Sequence, residues 1–329
     1  MKKNLALIAG GYTGEYKISI GTAHTIAHNL DNSLYNIYTI IIDKEKWVYT
    51  HSDGQEIKID KNDFSILVDD QKIRFDIAFI AVHGTPGEDG KLQGYLEMME
   101  IPFTSCGAIV SGITFNKIYC NAIVAQSGLV HVSKSLHLHH SRCLSTEEIL
   151  EKISLPAFVK PAEGGSSLAT TKVKTKEDIR PALEAVFDFE PQAMIEEFVH
   201  GREFSIGVYR SQGQVYALPI TEIISSKEFF DYEAKYTPGV SQEVTPAQLD
   251  NEQTQSIRET AKNIYDLLNA KGICRIDFIL EHGSQALYFL EINTVPGQSE
   301  NSIVPQQVKA IGMSLKDFYN ILIQETLKG

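Results

Sequence analysis

Arg275, Asp277, Glu291 and Asn293 stand at alternate positions of two strand-like runs, Cys274–Leu280 and Ala286–Thr294, which flank the turn residues His282-Gly283-Ser284. Antiparallel pairing about Ser284 sets Asp277 opposite Glu291 and Arg275 opposite Asn293. The two-residue period of a strand then gathers these four on one face and leaves Cys274, Ile276, Phe278, Leu280, Tyr288, Leu290 and Ile292 on the other. Two carboxylates opposed across a ladder repel. A hard cation reverses that sign, since magnesium takes oxygen ligands from one or two carboxylates plus substrate phosphates, and the Asn293 amide oxygen completes the protein's share. On its pattern alone the same face reads equally well as a solvated polar surface.

Two glycine-rich loops carry the other candidate chemistry. The run His83-Gly84-Thr85-Pro86-Gly87-Glu88-Asp89-Gly90-Lys91-Leu92-Gln93-Gly94 follows the apolar stretch Ala78–Val82, and its spacing does not fit a Walker A loop. Lys160-Pro161-Ala162-Glu163-Gly164-Gly165-Ser166-Ser167 sets a lysine at a strand end, before small residues whose backbone N–H groups can approach phosphate closely. Taken singly, such a loop is more commonly a connector with no ligand. His137, His139 and His140 have no acid or cysteine beside them and read as surface residues. Phe229, Phe230 and Tyr232 read as a loop packed on itself, with a partner patch as the alternative.

Positioning these groups requires layered α/β structure. Leu5–Ala9, Tyr35–Ile42 and Ile77–Val82 read as strands and Ile18–Leu30 as a helix, a pattern of parallel strands under helices. Ile101–Cys106 then reads as a short strand and Thr114–Gln126 as a helix with Thr114 at its N-cap. Phe158–Lys160, Ala169–Val173 and Ala193–Glu197 are strand-like, with Thr175–Phe187 a helix capped by Thr175 and bearing Asp178 near its positive end. Phe204 to Ile224 reads as strand, turn at Gln212-Gly213, strand. Ser225 to Ser241 lacks a period and is expected to be a functional loop. Pro246 to Ala270 and Leu315–Leu327 read as helices.

The 329 residues are 43% apolar and 9% aromatic, which suits two or three packed domains and excludes a disordered chain. Acidic residues outnumber basic ones 42 to 30, for a net charge of −12, which argues against nucleic acid or an anionic membrane surface as partner. No apolar run approaches the roughly 18 residues of a membrane span. Asn4–Ala9 is shorter than a secretory h-region, so a cytoplasmic location is expected. The four cysteines, Cys106, Cys120, Cys143 and Cys274, show no metal-ligand spacing and are expected to be reduced and mostly buried.

In this order, these residues closely resemble the D-alanine–D-alanine ligases of the ATP-grasp superfamily. The resemblance is carried by Gly10-Gly11 with Glu15 and Ser19; by His83-Gly84 with Gly87-Glu88-Asp89-Gly90 and Leu92-Gln93-Gly94; by Lys117; and by Val159-Lys160-Pro161 with Gly165-Ser166-Ser167. It continues through Tyr232-Glu233-Ala234-Lys235-Tyr236, Arg275-Ile276-Asp277, and Glu291-Ile292-Asn293-Thr294 with Pro296-Gly297, so it spans nearly the whole chain. It implies an α/β fold of three domains: an N-terminal parallel-sheet substrate-binding domain over 1–106, a central ATP-grasp domain over 107–195 and a C-terminal ATP-grasp and metal-binding domain over 196–329. It also implies a cytoplasmic homodimer making peptidoglycan precursors from ATP and D-alanine with two magnesium or manganese ions.

The implied reaction transfers the γ-phosphoryl group of ATP to one D-alanine; the amine of a second then attacks the acyl phosphate, giving D-alanyl-D-alanine, ADP and phosphate. By resemblance, Lys117 and Lys160 meet phosphates, Glu196, Val199 and Glu203 surround adenine and ribose, and Ser166 and Lys235 also bind ATP. Asp277, Glu291 and Asn293 fall on the metal ligands, and Arg275 stabilises the tetrahedral oxyanion. Glu15, with His83 beside it, holds the first D-alanine, although alone it would read as an exposed loop acid. Gly297, Ser302 and Ile303 receive the acceptor, although a lone serine is usually a turn or cap residue. Ser166, Tyr236 and Glu15 form an orienting network, and Lys235 and Tyr236 lie in the loop that closes over the site. Phenylalanine replaces Tyr236 in relatives that make an ester with D-lactate.

The chain departs from the family pattern at Gly164, where an acid is usual, and at Gln298-Ser299, where Met-Thr is usual, with Glu300-Asn301 after it; these positions bear on the local phosphate and acceptor contacts. Two rivals remain. Another ATP-grasp ligase would share the nucleotide and metal residues but not Glu15, Ser166 and Tyr236. A regulatory nucleotide-binding protein would not need an oxyanion donor such as Arg275.

Overall fold

Leu5, Ala6, Leu7, Ile8 and Ala9 are all fully buried, because the strand that carries them is covered on both faces, as strands of a parallel sheet are. The computed structural model describes residues 2–165, 169–225 and 241–328. Its first sheet has β1 (Lys3–Gly10) beside β2 (Tyr35–Ile42), followed outward by β3 (Trp47–Thr50) and β4 (Glu56–Lys58). A separate hairpin, β5 (Ile66–Val68) and β6 (Gln71–Ile73), precedes β7 (Ile77–Ile80), which pairs with β1 on its other side. β1 is parallel to both β2 and β7. Leu5, Leu7 and Ala9 meet Ala23 and Ile26 of helix α1 (Tyr16–Asn29) on one face, and Ala6 and Ile8 meet Phe64 and Leu96 on the other. Leu96 belongs to α2 (Lys91–Met98).

Two helices lead out of this layer, α3 (Ala108–Phe115) and α4 (Lys117–Ser127), in place of the single helix expected over Thr114–Gln126. They meet at a bend of 96°. Asn116, not Thr114, is the cap: its side chain accepts from the Tyr119 N–H at 3.3 Å, while the Thr114 hydroxyl donates back to Val110 O at 2.8 Å. The expected strand at Ile101–Cys106 is likewise absent; Phe103 makes one isolated bridge with Ala78, and Pro102, which has no N–H, contributes only its carbonyl.

The second sheet is antiparallel throughout, with β8 (His131–Val132) lying outside it and β9 (Ser135–His139) at its edge. After α5 (Thr146–Leu150) come β10 (Ala157–Pro161) and β11 (Thr171–Val173), then α6 (Lys176–Phe187) and β12 (Gln192–Glu197), in the order β11-β10-β12-β9. Thr175 caps α6 as expected, with the Asp178 carboxylate accepting from the Thr175 N–H at 2.8 Å. Val159, Ile195 and Leu138 are buried against Ile179 and Leu183 of α6 on one face, which leaves Phe158, Lys160 and Glu196 on the other.

The third sheet is the largest. β13 (Gly201–Ser211) forms a hairpin with β14 (Gln214–Ala217) and also pairs with β15 (Thr221–Ser225), which in turn pairs with β16 (Ser241–Val244). β17 (Ile273–Glu281) and β18 (Leu287–Asn293) complete the order β16-β15-β13-β17-β18-β8. Helix α7 (Asn251–Leu267) covers one face through Ile257 and Ile264 and starts later than expected, because Asp250 accepts from the Gln253 N–H at 2.7 Å and fixes the first turn there. Cys120 and Val124 of α4 share this core with Phe204, Ile206, Cys274 and Ile276, so residues 107–132 build onto the third sheet rather than the second. Helices α8 (Ile303–Ala310) and α9 (Leu315–Thr326) close the chain, and Phe318 and Leu322 return to the first sheet's core. No single helix among the described residues is long and apolar enough to cross a membrane. Of the cysteines, Cys106, Cys120 and Cys274 are buried and Cys143 is half-buried, all as free thiols.

Candidate active site

The β17–β18 hairpin keeps the expected register at its charged end: Arg275 pairs with Asn293 and Asp277 with Glu291. Beyond Asp277 the register slips by one residue, so that Phe278 faces Phe289, Ile279 faces Tyr288 and Leu280 faces Leu287. This bulge corrects the expected apolar face. Phe289 joins Phe278 and Ile292 in the core, while Leu290 turns to the cleft and Tyr288 lies outside the core.

Asp277 is 5% exposed and held from two sides. Arg275 donates through Nε to Oδ1 at 3.0 Å and through Nη2 to Oδ2 at 2.7 Å. Ser205 donates through Oγ to Oδ1 at 2.5 Å, because β13 places it directly across from Asp277. Arg275 Nη2 also lies 3.9 Å from Glu291 Oε1. Burial works against the guanidinium charge, but Asp277 and Glu291 outweigh it and hold Arg275 above its ordinary range. The Asn293 Oδ1 accepts from the Val295 N–H at 3.0 Å, which fixes the amide while leaving that oxygen a second lone pair. Two opposed carboxylates beside one arginine leave a negative excess among oxygen donors, which is the donor set a hard divalent cation takes.

Across the cleft, Lys160 Nζ donates to Glu196 Oε2 at 2.6 Å, with the two side chains 15% and 5% exposed. Glu196 also accepts from Asn121 Nδ2 at 3.3 Å. Asn121 stands one helical turn beyond Lys117, the first residue of α4. Lys117 donates through Nζ to Gly164 O at 2.6 Å and through its backbone N–H to Ala162 O at 2.8 Å, tying this helix start to the second glycine loop.

Both glycine loops converge on Glu15, the residue that precedes α1. A Cβ on Gly84 would lie 2.9 Å from Thr13 Oγ1 and 3.1 Å from Glu15 Oε2, and one on Gly165 would lie 3.2 Å from Glu15 Oε1. Gly84 also has φ +66, so a side chain there would be strained as well as crowded. His83 is buried with Nε2 3.0 Å from Thr22 Oγ1; burial lowers its basicity, and Glu15 partly restores it. Glu88 is buried too, and its Oε2 accepts from the Gly84 N–H at 2.8 Å.

Burial, with Glu15 adding to it, pushes the Glu88 carboxyl up to about 8 from its ordinary 4.5. Below the lower value the folded and unfolded chains both carry the proton. Between the two the unfolded chain loses it and the folded chain keeps it, so stability falls as pH rises, by about 1.4 kcal/mol per unit for a single group. Glu88→Gln is therefore expected to match the parent's melting temperature near pH 5 and to exceed it by pH 8. Melting curves of the two proteins that stay parallel from about pH 5 to 9 would mean that Glu88 ionises like a surface acid.

At the far end, Ser302 precedes α8 without capping it through its side chain; its Oγ lies 2.7 Å from Ser299 Oγ. A Cβ on Gly297 would come within 2.9 Å of Ser302 Oγ, so a side chain there would push the serine hydroxyl aside. The unusual Gln298 points away from the cleft, buried, with Nε2 donating to Pro296 O at 3.2 Å and Oε1 accepting from Tyr319 OH at 3.4 Å.

Glu15, His83, Lys117, Lys160, Glu196, Val199, Glu203, Arg275, Asp277, Glu291, Asn293, Gly297, Ser302 and Ile303 line one cleft of about 790 Å³. Ser166, Lys235 and Tyr236 lie outside the described residues, as do Phe229, Phe230 and Tyr232. Sequence reasoning gave no role to Ser205, Asn121 or Glu243. Asn121 was within reach of the four-residue spacing from Lys117; Ser205 became visible only when β13 was placed beside β17.

A small antiparallel sheet and a larger one, each helix-covered on its outer side and facing a common cleft with lysines on one wall and a carboxylate hairpin on the other, are the architecture of an ATP-grasp fold. The family model for the D-ala D-ala ligase N-terminus matches residues 4–106, and that for the C-terminus matches residues 124–324. The chain belongs to the D-alanine–D-alanine ligase family. It is 44% identical over 325 residues to the D-alanine–D-alanine ligase of Flavobacterium johnsoniae, covering 99% of both chains. Among solved structures it resembles the VanG D-Ala:D-Ser ligase of Enterococcus faecalis at 28% identity and a TM-score of 0.87, covering 99% of this chain and 100% of that one. It also resembles the D-alanine–D-alanine ligase of Bacillus anthracis complexed with ATP, at 27% identity and a TM-score of 0.80, covering 100% and 98%.

Proposed function

We propose that this chain joins two D-alanine molecules at the expense of ATP, releasing ADP and phosphate, as the ligation step of peptidoglycan precursor synthesis. The observation that carries this reading is the cleft wall on which Arg275, Asp277 and Glu291 meet, with Glu15 lining the same cavity. A carboxylate is a poor electrophile and its oxygen a poor leaving group, so the donor D-alanine must first take the γ-phosphoryl group on a carboxylate oxygen. Lys117 and Lys160 neutralise phosphate charge during that transfer, and Glu196, Val199 and Glu203 hold the nucleoside. Asp277, Glu291 and Asn293 hold two magnesium or manganese ions, which supply charge neutralisation to the phosphates.

Glu15 pairs with the donor's ammonium and, with His83 beside it, keeps that amine from acting as the nucleophile. The free amine of the second D-alanine attacks the acyl carbon, a C–N bond forms, and the carbonyl electrons move onto an oxygen that Arg275 stabilises. Collapse breaks the C–O bond to phosphate and restores the carbonyl, and the proton shed by the attacking nitrogen leaves with the departing phosphate; no bond to the protein is made. Ser302 Oγ and the Ile303 N–H receive the acceptor's carboxylate at the start of α8. Ser166, Lys235 and Tyr236 complete this assignment by the family resemblance, with Tyr236 favouring an amine over a hydroxyl acceptor.

We also carry the division into 1–106, 107–195 and 196–329 as functional units, with 107–132 built onto the third, and a cytoplasmic homodimer as the working form, which sedimentation would read. The deciding assay gives purified protein ATP, magnesium and a panel of D- and L-amino acids. Equal amounts of ADP, phosphate and D-alanyl-D-alanine are expected from D-alanine alone. ATP hydrolysis without dipeptide, or equal turnover with L-alanine, would reject the substrate assignment.

A further inference from the structure

Glu243 lines the same cleft but has no part in the reaction just described. It stands on β16, the outermost strand of the large sheet, opposite Ile223 of β15. Withdrawing a carboxylate from water is costly unless it is well hydrogen-bonded. Its partner is Gln306 on α8, whose Nε2 donates to Glu243 Oε2 at 2.6 Å and to Asn301 O at 2.7 Å. An amide nitrogen has two N–H donors, and this bridge uses both. Asn301 leads directly into Ser302, whose N–H is held by Ser299 O at 2.8 Å and whose Oγ lies 2.7 Å from Ser299 Oγ. The next residue of α8, Gln307, is anchored differently: it donates to Ser205 O at 2.9 Å and Thr221 Oγ1 at 3.0 Å, and accepts from the Gly207 N–H at 2.9 Å. Gln307 thus roots the helix in the sheet, and Glu243 secures its cleft side.

We propose that Glu243 is a positioning residue for the acceptor amino acid: through Gln306 it clamps the 299–302 turn and so sets where Ser302 Oγ and the Ile303 N–H stand. This rests on the reading of Ser302 and Ile303 as the seat of the acceptor carboxylate. Glu243 is unsuited to touching that carboxylate itself, since two anions in contact repel. A charge-assisted hydrogen bond to an amide is short and directional, so it holds a turn in place at a distance from the ligand. Small displacements of a positioning group are enough to cost large factors in binding or rate.

D-alanine enters this reaction at two places, so initial rates over a wide range of D-alanine give separate donor and acceptor constants. Glu243→Ala and Gln306→Ala are each expected to raise the acceptor constant about tenfold and to leave the donor and ATP constants within about twofold. The double variant should be no worse than either single one, because a bridge cut at both ends is lost only once. Glu243→Gln, which keeps an accepting oxygen on a side chain of the same length, should return the acceptor constant to within about threefold of the parent's. A fall in kcat with all three constants unchanged would mark a merely structural residue. That result, an equal rise in all three constants, or additive effects in the double variant would overturn the proposal. A parent protein that forms no dipeptide would fail the acceptor reading itself and this inference with it, an outcome distinct from a working parent with an unresponsive acceptor constant.

Discussion

Arg275→Lys is expected to lower kcat for dipeptide formation by about 10²–10³, or roughly 3–4 kcal/mol of transition-state stabilisation, while the ATP constant changes only a few-fold. The reason lies in how the guanidinium is held. Nε and Nη2 both engage Asp277, so its plane is fixed relative to the strand and its remaining donors are aimed, not mobile. A lysine at this position keeps the charge but offers one rotatable ammonium on a longer tether, and it cannot bond Asp277 in the same forked way. The charge on Arg275 is secure at any working pH, because Asp277 and Glu291 more than offset its burial. The loss would therefore report geometry, and it should be flat across the pH profile. A lysine variant within tenfold of the parent in kcat would remove Arg275 from the oxyanion role and leave it as a counter-charge for Asp277 and Glu291.

How legible this site was depended on the range of the interactions that make it. The register Asp277–Glu291 followed from the turn residues and the two-residue period, because both strands and their turn are contiguous in sequence. The bulge after Asp277 did not follow, since what favours it is Phe289 packing with Phe278 and Ile292 in a core shared with α4 and α7, and no local pattern distinguishes Phe289 from Tyr288 as the buried aromatic. The same limit explains the helix at Thr114–Gln126: its composition supports one continuous helix, but the Asn116 side chain is spent on capping α4 and on Glu163 and Gln192, contacts 47 and 76 residues away. The parallel part of the first sheet, β2-β1-β7, was legible because complete burial of β1 on two faces leaves a run of apolar residues, whereas the antiparallel strands β3 and β4 at its edge depart from the expected all-parallel sheet. The roles of Ser205 and Glu243 were not, because each depends on strands brought together from distant parts of the chain. Motif resemblance supplied the proposed roles for Glu15 and Ser302, which their residue types alone could not, since single acids and serines in loops are common.

The Lys160–Glu196 pair gives a test that separates holding the fold from holding the nucleotide. Lys160→Met is expected to lower the stability of the nucleotide-free protein by about 3 kcal/mol, because it leaves Glu196 as a nearly buried carboxylate with only the Asn121 amide to compensate. It should also raise the ATP constant by at least tenfold, since the positive charge proposed to face the phosphates is gone. Adding Glu196→Gln to that variant removes the stranded charge, keeps an accepting oxygen for Asn121, and should recover most of the lost stability. It cannot recover the ATP constant, because neither methionine nor glutamine carries the charge that phosphate needs. Denaturant melts and ATP titrations of the same two proteins read the two effects independently. Recovery of both would mean that Lys160 serves the nucleotide only by keeping Glu196 folded in place. Recovery of neither would mean that the stability is lost with the lysine's own packing and not through a stranded charge on Glu196.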